Sequence, residues 1–175
     1  ILRTSRLPVP RIGHGGTLDP LATGVLPIAL GEATKLAGRM LDAAKGYDFT
    51  VQFGTQTSTL DAEGEVVAAS DVRPTADAVA AILPRFTGPI DQVPPAYSAL
   101  KVDGKRAYAL ARAGEEVVLA TRHITVHSIE LVATTPDSAT FSTLVSKGTY
   151  IRSLARDIAL ALGSVGHVTM LRRTR

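Results

Sequence analysis

The stretch IGHGGTLDPLATGVLPIALG, residues 12–31, contains a single acid, Asp19, between Leu18 and Pro20 in a run rich in glycine. A carboxylate in such a loop can come close to a substrate and act on it as nucleophile or base. Taken alone, Asp-Pro also starts turns, and aspartate bonds readily to its own backbone. Two further stretches carry reactive groups: Lys45-Gly46-Tyr47, with a phenol, and Lys147-Gly148-Thr149-Tyr150-Ile151-Arg152, with a guanidinium fork that matches a carboxylate. Behind them stand His167-Val168 and Leu171-Arg172-Arg173. Other chemistries fail on spacing. The cluster GHGGT would suit an esterase oxyanion hole, but no serine is framed as G-x-S-x-G. A phosphate loop needs Gly-Lys-Ser/Thr, which does not occur. His123 and His127 lie in a β-branched stretch, where four positions span about 13 Å, too far to share an ion. His14 and His167 are scattered, so no metal site is expected.

These groups need elements to hold them. Residues 25–30 form a short apolar run that reads as a buried strand, and 33–41 a helix with Leu36 and Met40 at helical spacing. GYDFTVQFG alternates, placing Tyr47, Phe49, Val51 and Phe53 on one face and Asp48, Thr50 and Gln52 on the other, the pattern of a half-buried strand. Tyr47 is therefore equally a core residue by register. TSTLDAEGEVV supplies turn residues and a hairpin returning through Val66 and Val67. Thr75 caps a helix with Val79, Ile82, Leu83 and Phe86 inward, which Pro84 should kink or shorten. GPIDQVPPAYSALKVDGKR is proline-rich and reads as irregular, and KRAYALARAG as a helix stopped by Gly114. VVLATRHITVHSIELV and ATFSTLVS are strand-forming stretches joined by the turn TTPDSA. The clearest helix is YIRSLARDIALALG, with Ile151, Leu154, Ile158 and Ala161 or Leu162 as its stripe, and GHVTMLRRTR reads as a strand. Strand pairs interrupted by helices make the class α+β.

The chain has 175 residues, 45% hydrophobic and 20% charged, enough for a real core in one domain spanning 1–175. With no cysteine, disulfides and thiolate sites are excluded, and a cytoplasmic protein fits. No apolar run reaches a membrane span, and no signal-peptide pattern opens the chain. The net charge of +3 and pI near 9.4 mildly favour a polyanionic partner. Both ends read as cut: ILRTSRLPVPR has too little apolar rhythm for a settled element, and the last strand stops in mid-course.

The glycine motif from Gly13 through Asp19 to Gly24, Lys45-Gly46-Tyr47, and Lys147 to Arg152 with Leu171 together resemble the bacterial tRNA pseudouridine synthase B family. GEATK, TSTLDAEG, PPAYSALKVDGKRAYALARAG and ARDIALALG follow in order at spacings similar to that family's. The resemblance implies a pseudouridine synthase catalytic fold, a mixed and mostly antiparallel sheet flanked by helices. It implies isomerisation of uridine to pseudouridine in the T-loop of tRNA, position 55, on a flipped-out nucleotide. No atoms enter or leave, so no cofactor or metal is implied. Asp19 takes the role of the reacting carboxylate, and Arg152 pairs with it. Tyr47 stacks on the base, while Tyr150 and Leu171 line the same pocket. His14 fills space in the T-loop as bases flip. Lys101, Lys105, Arg106 and Arg112 fall in a segment, about 95–122, that resembles an RNA-clasping thumb. Lys35, Arg172 and Arg173 are expected to add to the basic surface. Without the resemblance, Arg152 and the lysines read as solvated charges and Leu171 as core. Family members usually begin with a Lys-Pro-x-Gly strand and continue into a small C-terminal domain, both missing here, and a monomer is expected. A guide-RNA-dependent synthase carries a related aspartate motif, although the thumb stretch suits the stand-alone enzyme. A non-catalytic RNA-binding or tRNA-folding module would not need Asp19, Tyr47 and Arg152 together.

Overall fold

A computed structural model of the chain describes residues 11–102, 104–115 and 117–175, so the opening segment before Arg11 lies outside the described residues. Strands β1 (Ile12–His14), β2 (Thr23–Gly24) and β3 (Ile28–Leu30) come first, then a 3-10 turn (Gly31–Leu36) running into helix α1 (Ala37–Asp42). Next are strand β4 (Lys45–Phe53), the hairpin of β5 (Thr55–Thr57) and β6 (Val66–Ala69), and helix α2 (Ala76–Ile82) with a 3-10 extension (Leu83–Phe86). Strand β7 (Gly88–Gln92), the ribbon of β8 (Lys101–Val102) and β9 (Lys105–Arg106), and helix α3 (Ala107–Arg112) follow. The long hairpin of β10 (Arg122–Thr134) and β11 (Ser138–Val145), helix α4 (Ile151–Ala161) and strand β12 (Gly166–Arg173) come last.

Six of these strands form one sheet in the order β2-β12-β4-β11-β10-β7. Its pairings are antiparallel except β12 with β2. The class is the α+β arrangement expected. β4 shows why: its alternation buries Tyr47, Phe49, Val51 and Phe53 and leaves Asp48, Thr50 and Gln52 half-buried. Phe49 sits opposite Phe141 of β11, their rings stacked with centroids 5.1 Å apart, a cross-strand pair that adds about 0.5–1.5 kcal/mol beyond its buried area. Helix α4 covers this face with Leu154, Ala155, Ile158 and Ala159, all fully buried. Its stripe follows the 3.6-residue period. Thr75 Oγ1 accepts from Ala78 N at 3.2 Å, capping α2, and the helix tightens into a 3-10 turn at Pro84, the shortening that proline imposes.

Three expectations need correction. Residues 25–30 are not a buried strand: β3 begins only after Pro27 and pairs with β1 in a ribbon separate from the main sheet. Val25, Ile28 and Leu30 are about half exposed there. Leu36 and Met40 are likewise exposed, and the expected helix over 33–41 is split between a 3-10 turn and α1. The proline-rich stretch is not irregular throughout. Gly88–Gln92 is the edge strand β7, pairing with β10 alone, and an edge is where a strand tolerates a residue without an N–H such as Pro89.

Candidate active site

The loop from β1 to β2 holds Asp19 half-buried at the mouth of a cleft of about 760 Å³. Its main-chain carbonyl accepts from Ala22 N at 3.0 Å, so the residue does close a turn. That turn leaves the carboxylate free to face Arg152. Glycine is required where the loop meets the sheet. Gly24 has φ +99°, and a Cβ there would stand 2.0 Å from the carbonyl oxygen of Arg173. A Cβ on Gly15 would lie 2.8 Å from that of Met40 on α1.

Arg152 is in the first turn of α4, where the helix dipole disfavours a cation. Carboxylates offset this. Nε donates to Asp19 Oδ2 at 2.8 Å and Nη2 to Asp19 Oδ1 at 3.0 Å, a two-toothed fork. The carbonyls of Thr59 (2.8 Å from Nη1) and Tyr97 (3.1 Å from Nη2) accept further hydrogen bonds. Asp61 Oδ2 lies 3.5 Å from Nη1, while its Oδ1 accepts from Thr59 Oγ1 at 2.5 Å and Glu63 N at 3.0 Å. Arg152 is 6% exposed, so its orientation is fixed by partners rather than by solvent. The start of α4 is anchored as well, since Tyr150 N donates to Oε1 of the buried Gln92 at 2.8 Å.

Tyr47, Tyr150 and Leu171 border the same cleft as Asp19 and Arg152. Tyr47 and Leu171 also belong to the core cluster, so each is packed on one side and borders the cleft on the other. Arg106 borders the cleft and donates to the Ala99 carbonyl. Arg112 borders it too, with its guanidinium carbon 5.6 Å from the centre of the Tyr108 ring. Lys101 and Lys105 are exposed on β8 and β9, beside Arg106 but outside the cleft wall. His14 stands on β1, exposed and not itself in the cleft wall, its Nδ1 3.4 Å from the N of Gly16, which is. Lys35 is exposed and paired with Glu32 at 2.5 Å, also away from it. Arg172 is exposed, but the surface expected for Arg173 is wrong. Arg173 is 2% exposed because its guanidinium turns inward to loop carbonyls.

Sequence reasoning missed Asp61 as a site residue. TSTLDAEG reads as a turn, and the acid gains meaning only once Arg152 comes beside it. Lys45 also does more than open a strand. Its Nζ donates to the carbonyls of Met40, Leu41 and Ala43 at 3.2, 2.9 and 2.8 Å, closing the end of α1. Burial, and then the nearby charge of Arg173, push the Lys45 ammonium below its ordinary range. Lys147, hydrogen-bonded to Asp42 at 2.8 Å, holds that carboxyl below its ordinary range and ties α1 to the turn before α4. Among the described residues, no group of three or more His, Cys, Asp or Glu side chains is placed to hold a metal ion. Among them, too, no helix is long and apolar enough to cross a membrane.

Residues 4–151 match the family described as TruB family pseudouridylate synthase (N terminal domain). The chain is similar to the tRNA pseudouridine synthase B of Novosphingobium aromaticivorans, 65% identical over 170 residues, covering 94% of this chain and 56% of that protein. The protein of the same name from Zymomonas mobilis is 57% identical over 174 residues, covering 99% of this chain and 57% of its own length. The chain thus spans about half the length of the curated relatives it matches. Among solved structures it is similar to a chain in a Cbf5-Nop10-Gar1 complex, with TM-score 0.71 and 34% identity over 95% of this chain and 40% of that one. A chain in an H/ACA RNP bound to a substrate RNA containing 2′-deoxyuridine matches with TM-score 0.67 and 29% identity, over 95% of this chain and 39% of that one.

Proposed function

The chain belongs to the TruB family of pseudouridylate synthases, and on that premise we propose that it converts uridine to pseudouridine at position 55, in the T-loop of tRNA. The observation that carries this reading is the fork between Arg152 and Asp19 at the cleft. The reaction breaks the bond from ribose C1′ to N1 of uracil, turns the base and joins C1′ to C5; C5 gives up its proton and the freed N1 gains one. All atoms are conserved. Asp19 is the group that acts on the flipped-out nucleotide, and Arg152 keeps its two oxygens in one orientation. Tyr47 offers its ring to the base with its hydroxyl at the cleft, and Tyr150 and Leu171 complete an apolar and aromatic enclosure. Arg106, with Lys101 and Lys105 beside it, supplies positive charge at the rim for RNA phosphates. His14 and Lys35 lie further along the RNA path. The segment 95–122 is the thumb of one catalytic domain, which works as a cytoplasmic monomer.

A second reading, a synthase directed by a guide RNA, is favoured by the likeness to Cbf5 and H/ACA structures. The 65% and 57% identities to proteins called tRNA pseudouridine synthase B support the stand-alone enzyme instead. The test is incubation with an unmodified tRNA transcript, followed by mapping of pseudouridine by mass and base-specific labelling. Product at position 55 without any guide supports the proposal. Product only with a guide RNA transfers the assignment to the second reading. Binding without product makes the chain an RNA-binding module.

A further inference from the structure

Arg173 is the largest fully buried side chain among the described residues, and the chemistry above gives it no task. No carboxylate among the described residues lies within ion-pair distance of it. Carbonyl oxygens compensate its charge instead. Nε donates to Val25 O at 2.6 Å, Nη2 to Gly16 O at 3.2 Å and Nη1 to Thr17 O at 3.4 Å. Two of these carbonyls precede Asp19 in the chain and one follows it. The main chain adds a second attachment, because β2 pairs in parallel with β12 and Val25 N donates to Arg173 O at 2.9 Å.

We infer that Arg173 is a positioning residue that clamps both ends of the loop carrying Asp19, and so fixes where that carboxylate meets Arg152 and the nucleotide. The physical reason is the burial itself. A cation held only by carbonyl dipoles would be stranded if the loop opened, at high cost in free energy. The loop needs such a hold. Gly16 and Gly24 both sit at positive φ, and glycine-rich chain loses the most freedom on ordering. Lys45 cannot replace the clamp, since its three contacts all go to the end of α1. Arg173 is also the cross-strand partner of Tyr47, so the two side chains share one face of the sheet. The inference rests on the reading of Asp19 as the reacting carboxylate.

Arg173→Lys and Arg173→Ala in the full chain test it. Lysine keeps the charge but offers a compact point in place of a planar fork. Single-turnover rate on the tRNA transcript should fall about ten- to a hundredfold in the lysine variant, the range set by a misplacement near 1 Å. KM and tRNA affinity should hold. Methylguanidinium should restore part of the rate to Arg173→Ala, because the lost side chain borders the cleft, and ammonium at the same concentration should not. Amide exchange should accelerate in residues 16–25 while β10 and β11 stay protected. A wild-type rate with wild-type loop exchange in Arg173→Lys overturns the clamp. So does lost affinity at unchanged rate, which marks an RNA contact, and so does faster exchange throughout the sheet without rescue, which marks general support. Should Arg173→Ala fail to fold, rate and exchange in the lysine variant decide. If the wild-type chain makes no pseudouridine, the reading of Asp19 fails, and loop exchange alone judges the clamp.

Discussion

The carboxylate of Asp19 receives two hydrogen bonds from one guanidinium while its own carbonyl closes a turn, so geometry and reactivity are set by separate atoms of one residue. Asp19→Asn preserves the shape and leaves Arg152 its contacts to Asp61, Thr59 and Tyr97. Turnover should vanish with tRNA binding largely intact, as single-turnover and filter-binding assays will show, and near-normal turnover would sink the assignment. Arg152→Lys should be severely impaired although the charge is kept, because an ammonium cannot hold both carboxylate oxygens. Activity within a few-fold of wild type would reduce Arg152 to a source of charge. Tyr47→Phe separates packing from hydroxyl chemistry. The ring still fills its place in the buried cluster, so stability and affinity should survive, and the single-turnover rate falls if the hydroxyl moves a proton. Equal losses of thermal stability and rate would make it chiefly a core residue.

Among the elements, β4, α4 and the β10–β11 hairpin were legible because their signal is local: alternation, a helical stripe, a turn between two β-rich runs. β3 and β7 were not, because what decides them is remote. The apolar run at 25–30 pairs only in a ribbon outside the main sheet, and Gly88–Gln92 becomes a strand only because β10 offers it an edge. The same reason hid Asp61 and the inward turn of Arg173, whose partners are distant in the chain. The motif residues Asp19, Tyr47, Tyr150, Arg152 and Leu171 do gather at one cleft, whereas His14 and Lys35 are not part of its wall. The segment from β8 to α3 carries a separate prediction. If it clasps the T-arm, replacing Lys105 and Arg106 together by Ala should weaken tRNA binding with turnover at saturating tRNA unchanged. Each lost phosphate contact should make log K against log salt shallower by about 0.7 on a single strand and about 0.9 on a duplex. Binding titrations at several salt concentrations decide, and unchanged slope and affinity would return both residues to plain solvated surface.

For the molecule as a whole, α4 is both the largest apolar cover of the sheet and the mount of Arg152, so core and site share one helix. Ile158→Val, fully buried and a turn and a half beyond Arg152, should cost about 0.5–1.5 kcal/mol in urea unfolding with unchanged m. Turnover should not change, since Gln92 and the carboxylates still fix the start of the helix. A rate loss exceeding the stability loss would show that core packing reaches the site. The order of the strands carries one more consequence. β12, the latest of the described strands in chain order, lies between β2 and β4, which come early. Arg173 follows Val25 by 148 residues, and at about 5–20 residues per second a ribosome needs roughly 7–30 s to cover that distance. During that wait the loop of Asp19 lacks the strand that pairs with β2 in the finished sheet. Closing the sheet around β2 therefore waits on synthesis of β12, and a chain halted before β12 leaves the loop of Asp19 without the strand and the guanidinium that hold it.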